Sequence, residues 1–201
     1  MKISQKEFEN TIKEFERIVD VRDQLWDRAR KLLENGYEVD AYILILATWN
    51  FARFRYFIKI FYLDKFGRAI KKTNPIFKKL RNKDFESIDL NNKIIKKDIK
   101  DIYSEIKKVA EQTGASKIMA LKNPKLFIMW DTEIRRIYKI SNYSTPDDYI
   151  EFLIKMKDVF SKIKWNNKKR PFAKVIDEYN YAIVDKIRSE RKKKKNKKIN
   201  I

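Results

Sequence analysis

The chain has 201 residues, 43% of them hydrophobic and 13% aromatic, which is enough for one sizeable core and too apolar for a disordered body. Three glycines and four prolines exclude a turn-rich all-β fold, and the absence of Cys and His removes disulfides, thiolate metal sites and the commonest neutral-pH acid/base. The formal net charge is +20, and it is unevenly placed: residues 1–40 hold ten acidic and eight basic side chains, residues 41–201 carry +22, and residues 188–201 alone carry +7. Such a balance points to a polyanionic partner, with nucleic acid as the expected one.

The elements predicted in chain order are helices. Ser4 to Glu7 form a capping box, and Phe8, Ile12, Phe15 and Ile18 follow at helical spacing, giving a helix over about 5–19. A second helix over 22–34 stops at Asn35-Gly36. The third, from Ala41 to about Gly67, is apolar on all sides and is expected to be the central buried helix. Asn74-Pro75 opens a short helix to Leu80, and 81–92 reads as a loop. Asn91 or Asn92 caps a long helix to Gln112, and Gly114 ends it. A helix over 115–121, an apolar connector over 126–130, and helices over 131–140, 145–163 and 171–188 complete the body. The fold class is therefore all-α, a compact body of about eight helices over 1–188, with room for two lobes sharing the 41–65 helix. Residues 189–201 form a basic tail in which like charges oppose packing, so it is expected to be disordered until it meets an anion.

The N-terminal residues lack a secretory h-region, and the apolar stretch over 41–52 is too short to span a bilayer. A cytoplasmic protein with no membrane partner and no cofactor is expected.

The motif with chemical content runs Thr113-Gly114-Ala115-Ser116-Lys117, then Asn123-Pro124, then Leu126 to Trp130 and Asp131. It resembles the region ending in the catalytic aspartate of the helix-hairpin-helix DNA glycosylase superfamily, in the style of the archaeal 8-oxoguanine glycosylases. There an Ala-Ser pair precedes, at a fixed distance, an apolar stretch and an Asp that caps the next helix. The resemblance covers roughly 40–140 and implies a base-excision enzyme acting on a flipped nucleotide. It implies Asp131 as the catalytic acid group, with Lys117 one helical turn beyond the position of the family's lysine. Asn50 and Trp49 fall on its early buried helix, and Ser116 and Trp130 beside the expected base pocket. The chain departs from the family at the Schiff-base position, which is Thr113, and at the two hairpin glycines, which fall on Val109 and Glu111. A lyase reaction is therefore not supported, and the implied activity is a monofunctional N-glycosidic hydrolase. The alternative is a non-catalytic nucleic-acid-binding protein on the same fold.

Around this motif, Arg135, Arg136 and Lys139 are candidate phosphate clamps. Lys164, Lys168, Lys169 and Arg170 form a second basic cluster around Trp165, whose plainer role is in the core. Asp is also a preferred N-cap in any helix, so capping alone accounts for Asp131 equally well. The Asp131-Thr132-Glu133 run with Arg135 faintly resembles a metal-dependent nuclease site, but such sites sit on strands, which the sequence lacks. Asp84, Glu86 and Asp89 have the spacing of a solvated loop rather than of a cation site.

Overall fold

The computed structural model describes residues 2–18, 21–167 and 170–199. Among these residues all regular structure is helical: α1 (Gln5–Ile18), α2 (Val21–Glu34), α3 (Glu38–Trp49), α4 (Phe51–Phe57), a 3-10 turn (Ile58–Ile60), α5 (Leu63–Leu80), α6 (Lys93–Lys122), α7 (Thr132–Ile137), α8 (Pro146–Val159) and α9 (Phe172–Ile199). α6 is the hub, with α5, α8, α3 and α2 packed around it, while α1 lies along α9. The two ends of the chain meet in an aromatic cluster. Phe8 has ring contacts with Phe160 (5.8 Å), Trp165 (6.0 Å) and Tyr179 (5.7 Å), and the Ile3 amide donates to the Val159 carbonyl at 3.1 Å.

The helix starts follow local chemistry. Asn92 accepts from the amides of Ile94 (2.9 Å) and Ile95 (3.2 Å), and Thr145 and Asp148 form a reciprocal capping box. Other boundaries differ from the sequence expectation, each for a physical reason. The apolar 41–66 stretch is not one buried helix. It breaks at Asn50, whose backbone (φ −128°, ψ 24°) ends α3 and whose carbonyl accepts the Arg53 (3.0 Å) and Phe54 (2.8 Å) amides that begin α4. α3 is buried through Ala41, Tyr42, Ile45 and Leu46, but Phe51, Tyr56 and Tyr62 beyond the break face solvent. The central position belongs to α6, in which every residue from Gly114 to Leu121 is buried.

α5 runs through both Gly67 and Pro75. The proline removes one helical hydrogen bond, at a cost of about 3 kcal/mol, which the buried stripe of Phe66, Ile70, Phe77 and Leu80 offsets. α6 continues past Gln112 with one break, at Glu111 (φ 58°, ψ 178°). Gly114 does not end a helix. A Cβ there would lie 2.9 Å from Leu46 Cδ2 and 3.1 Å from Ala110 Cβ, so the glycine is what lets α3 cross α6 closely. α9 continues to Ile199 where a disordered basic tail is expected. Lys and Arg are good helix formers, and a helix already nucleated by packing adds residues cheaply.

Candidate functional site

Asp131 caps α7. Its Oδ1 accepts the Ile134 amide at 2.9 Å, and Oδ2 lies 3.6 Å from the Arg188 guanidinium, with the side chain 32% exposed. Beside it, Glu133 meets Arg136 (2.7 Å) and Arg191 (3.1 Å). Burial raises the Glu133 carboxyl, but the two guanidinium groups outweigh it and hold it below its ordinary value. The start of α7 and the outer part of α9 thus form one face of alternating charge.

The connector before Asp131 is core. Leu126, Phe127, Ile128 and Trp130 are fully buried, and side chains from three helices satisfy its backbone. The Tyr149 hydroxyl donates to the Ile128 carbonyl (2.9 Å), the Met129 amide donates to Asp177 Oδ1 (2.5 Å), and the Trp130 amide donates to Ser116 Oγ (3.2 Å). Ser116 in turn donates to the Thr113 carbonyl at 2.9 Å. Ser116 thus grips the residue next to Asp131.

That geometry decides what the sequence candidates touch. Ser116 and Trp130 are buried. Trp130 packs on Tyr103 (5.8 Å), Tyr149 (5.1 Å) and Phe152 (5.4 Å), so its ring braces the core and presents no face to solvent. Arg135 is buried too, contrary to a role as phosphate clamp. It reaches the Ser144 hydroxyl and the Asn142 carbonyl (3.3 Å) and lies over Trp130, 5.3 Å from the ring centroid. Arg170 is held by Glu178 (2.8 Å) and Glu16 (3.0 Å). Burial opposes its charge, but the two carboxylates prevail and raise its pKa, leaving little for a phosphate. Arg136, Lys139 and Lys164 are exposed, and Lys168 and Lys169 lie outside the described residues. Trp165 donates from its indole to the Arg170 carbonyl (2.7 Å) and packs on Phe8. Asp84 and Asp89 accept from neighbouring loop groups at Ser87 (2.9 Å) and Asn91 (2.8 Å). Among the described residues no cluster of three or more His, Cys, Asp or Glu is placed to hold a metal ion, and no helix is long and apolar enough to cross a membrane.

Lys117 is buried, and its ammonium donates to the Trp49 carbonyl at the end of α3, not towards Asp131. Trp49 packs on Trp26 (5.8 Å), and Asn50 sits at the α3–α4 break near Gly114. This region holds a cluster that sequence reasoning missed. Lys174, Asp177, Glu178 and Asn180 are all buried in the first half of α9. The Lys174 ammonium lies over the rings of Trp26 (4.8 Å) and Trp49 (5.2 Å) and 3.5 Å from Glu178. Burial pushes the Asp177 carboxyl well above its ordinary value, with Lys174, the Met129 amide and Lys117 only partly opposing it. The signal was present as charged residues at i, i+3 and i+4 inside an otherwise apolar helical stripe.

Lys174 also lines a groove of about 1270 Å³ between α2, the ends of α5 and α6, and the start of α9. Its lining mixes acidic groups such as Glu16, Asp23 and Asp27 with basic groups such as Arg30, Lys78 and Lys122. Asp131, Asn50 and Ser116 lie outside it. No family model, curated protein or solved structure matches the chain, so sequence and geometry alone carry the functional reading.

Proposed function

We propose that this chain binds nucleic acid through its positive surface, on a fold that is a divergent relative of the helix-hairpin-helix glycosylases. The observation that carries the proposal is the charge: +22 from residue 41 onward, with Arg188, Arg191, Lys192 and Lys193 exposed along the outer part of α9 beside the start of α7. Two features support the relationship. Glu111, where the resemblance puts the second hairpin glycine, adopts a positive-φ conformation suited to glycine, and Ser116 is bonded to the residue preceding Asp131. The test is fluorescence anisotropy with a labelled 20-mer at 50 mM salt. Changing the four α9 side chains to Gln should weaken binding by about tenfold or more. Undetectable binding by the wild type at this salt concentration contradicts the proposal.

A second, finer reading is base excision through Asp131. It is favoured by the carboxylate itself, since one oxygen is spent on the cap while the side chain remains 32% exposed. The Ile134 amide at the helix start fixes the orientation of the carboxylate. The burial of Lys117 against the Trp49 carbonyl agrees with hydrolysis without a lyase step. Base release from a panel of damaged duplexes should be lost in Asp131→Asn. Equal background release by both proteins rejects this reading and leaves nucleic-acid binding standing.

A further inference from the structure

The segment after the Asn50 break has an exposure that its composition does not predict. Phe51 and Tyr56 are each 62% exposed, Tyr62 is 71% exposed and Leu63 is 56% exposed. Buried large apolar side chains are the rule, and a cluster of exposed ones marks a contact surface. Two aromatics of the same segment hold it in place, since Phe61 packs on Phe66 (5.1 Å) and on Phe54 (6.3 Å). The outward rings are therefore mounted on an anchored element.

Interleaved with these rings are Arg53, Arg55 and Lys59, all exposed, and no Asp or Glu occurs between Ala41 and Leu63. Arg55 lies over the Tyr56 ring at 4.7 Å and donates to its hydroxyl at 2.8 Å, which holds a guanidinium against one face of that ring. The segment from Phe51 to Tyr62 therefore carries exposed apolar rings and only positively charged side chains. Its charge complement is an anion that also carries flat faces. In a duplex the bases are stacked on each other, so free faces are offered by a single strand.

We infer that residues 51–62 form a stacking platform for single-stranded nucleic acid, with bases on Phe51, Tyr56 and Tyr62 and phosphates on Arg53, Arg55 and Lys59. The inference rests on the nucleic-acid-binding reading and adds the strand type and the contact surface. An anionic membrane is the competing occupant. The platform suits it less, because α4 is only seven residues long and passes into a three-residue 3-10 turn at Ile58, whereas interfacial binding draws on a longer amphipathic helix.

The experiment uses the full chain, an oligo(dT) 20-mer, a 20-base-pair duplex and phosphatidylserine-containing vesicles, at one salt concentration. The triple variant Phe51→Ser, Tyr56→Ser, Tyr62→Ser removes only exposed rings, and its helix content and melting are checked against wild type. Its affinity for oligo(dT) should fall by at least about thirtyfold, given what stacking contributes per base, while duplex affinity changes by less than about threefold. Tyr56→Phe with Tyr62→Phe keeps the rings and should keep the affinity. Changing Arg53, Arg55 and Lys59 to Gln should make the salt slope for oligo(dT) shallower by about 2. Unchanged oligo(dT) affinity in the triple variant, or equal losses on single strand and duplex, overturns the platform but not nucleic-acid binding. Loss of vesicle binding alone overturns it in favour of the membrane. Failure of the wild type to bind either oligonucleotide overturns the underlying reading as well.

Discussion

Glu111 offers a test of the backbone at the heart of the motif. Its φ of 58° and ψ of 178° lie in a region that only glycine occupies comfortably, between the buried Val109–Ala110 pair and the close α3–α6 crossing at Gly114. Such a conformation costs a residue with a Cβ about 1–3 kcal/mol. Glycine relieves that strain but loses about 0.5–1 kcal/mol through its freer unfolded chain. Glu111→Gly should therefore stabilise the protein by about 1 kcal/mol, raising the melting temperature by about 2–4 °C for a chain of this size. Glu111→Ala removes the same carboxylate but keeps the Cβ, so it isolates the backbone effect and should leave stability within about 0.5 kcal/mol of wild type. Urea unfolding with an unchanged m-value is the assay. A Glu111→Gly protein no more stable than Glu111→Ala refutes the reasoning.

Other expectations follow from the buried charges. Arg135→Leu should cost about 2–3 kcal/mol in urea unfolding, since hydrogen bonds from a buried cation to Ser144 and Asn142 are lost, while the salt slope of nucleic-acid binding stays as in wild type. A shallower slope with unchanged stability would make Arg135 a phosphate contact after all. Burial raises the folded Asp177 carboxyl above its unfolded value of about 4, so as pH rises the unfolded chain releases this proton first. Its contribution is therefore full in acid and is lost as pH rises toward the raised folded value. Asp177→Asn should lose less stability between pH 5 and pH 8 than wild type, and an equal loss in both proteins counts against this account.

What was legible in the sequence was local. Asn92, Asp131 and Thr145 cap helices because a short polar side chain can reach its own helix start, and that needs no tertiary information. The 41–66 stretch misled because a segment apolar on every side has no face to read, so its periodicity could not reveal the break at Asn50 or the outward rings beyond it. Arg135 and Arg170 looked like surface cations by residue type. Their burial depends on Ser144, Glu178 and Glu16, partners brought together by the fold. The same holds for Trp130: its neighbours Tyr103 and Tyr149 come from α6 and α8, and no spacing within the motif announces them.

The salt dependence of nucleic-acid binding tests the central claim most directly. Each phosphate neutralised steepens the plot of log K against log salt by about 0.9 on duplex and 0.7 on single strand. Five or more contacts by the exposed cations of α9 and of residues 53–59 predict a slope of about −4 or steeper, and therefore a loss of affinity exceeding about a hundredfold between 50 and 200 mM salt. A slope near zero, or no binding at 50 mM salt, would contradict the account.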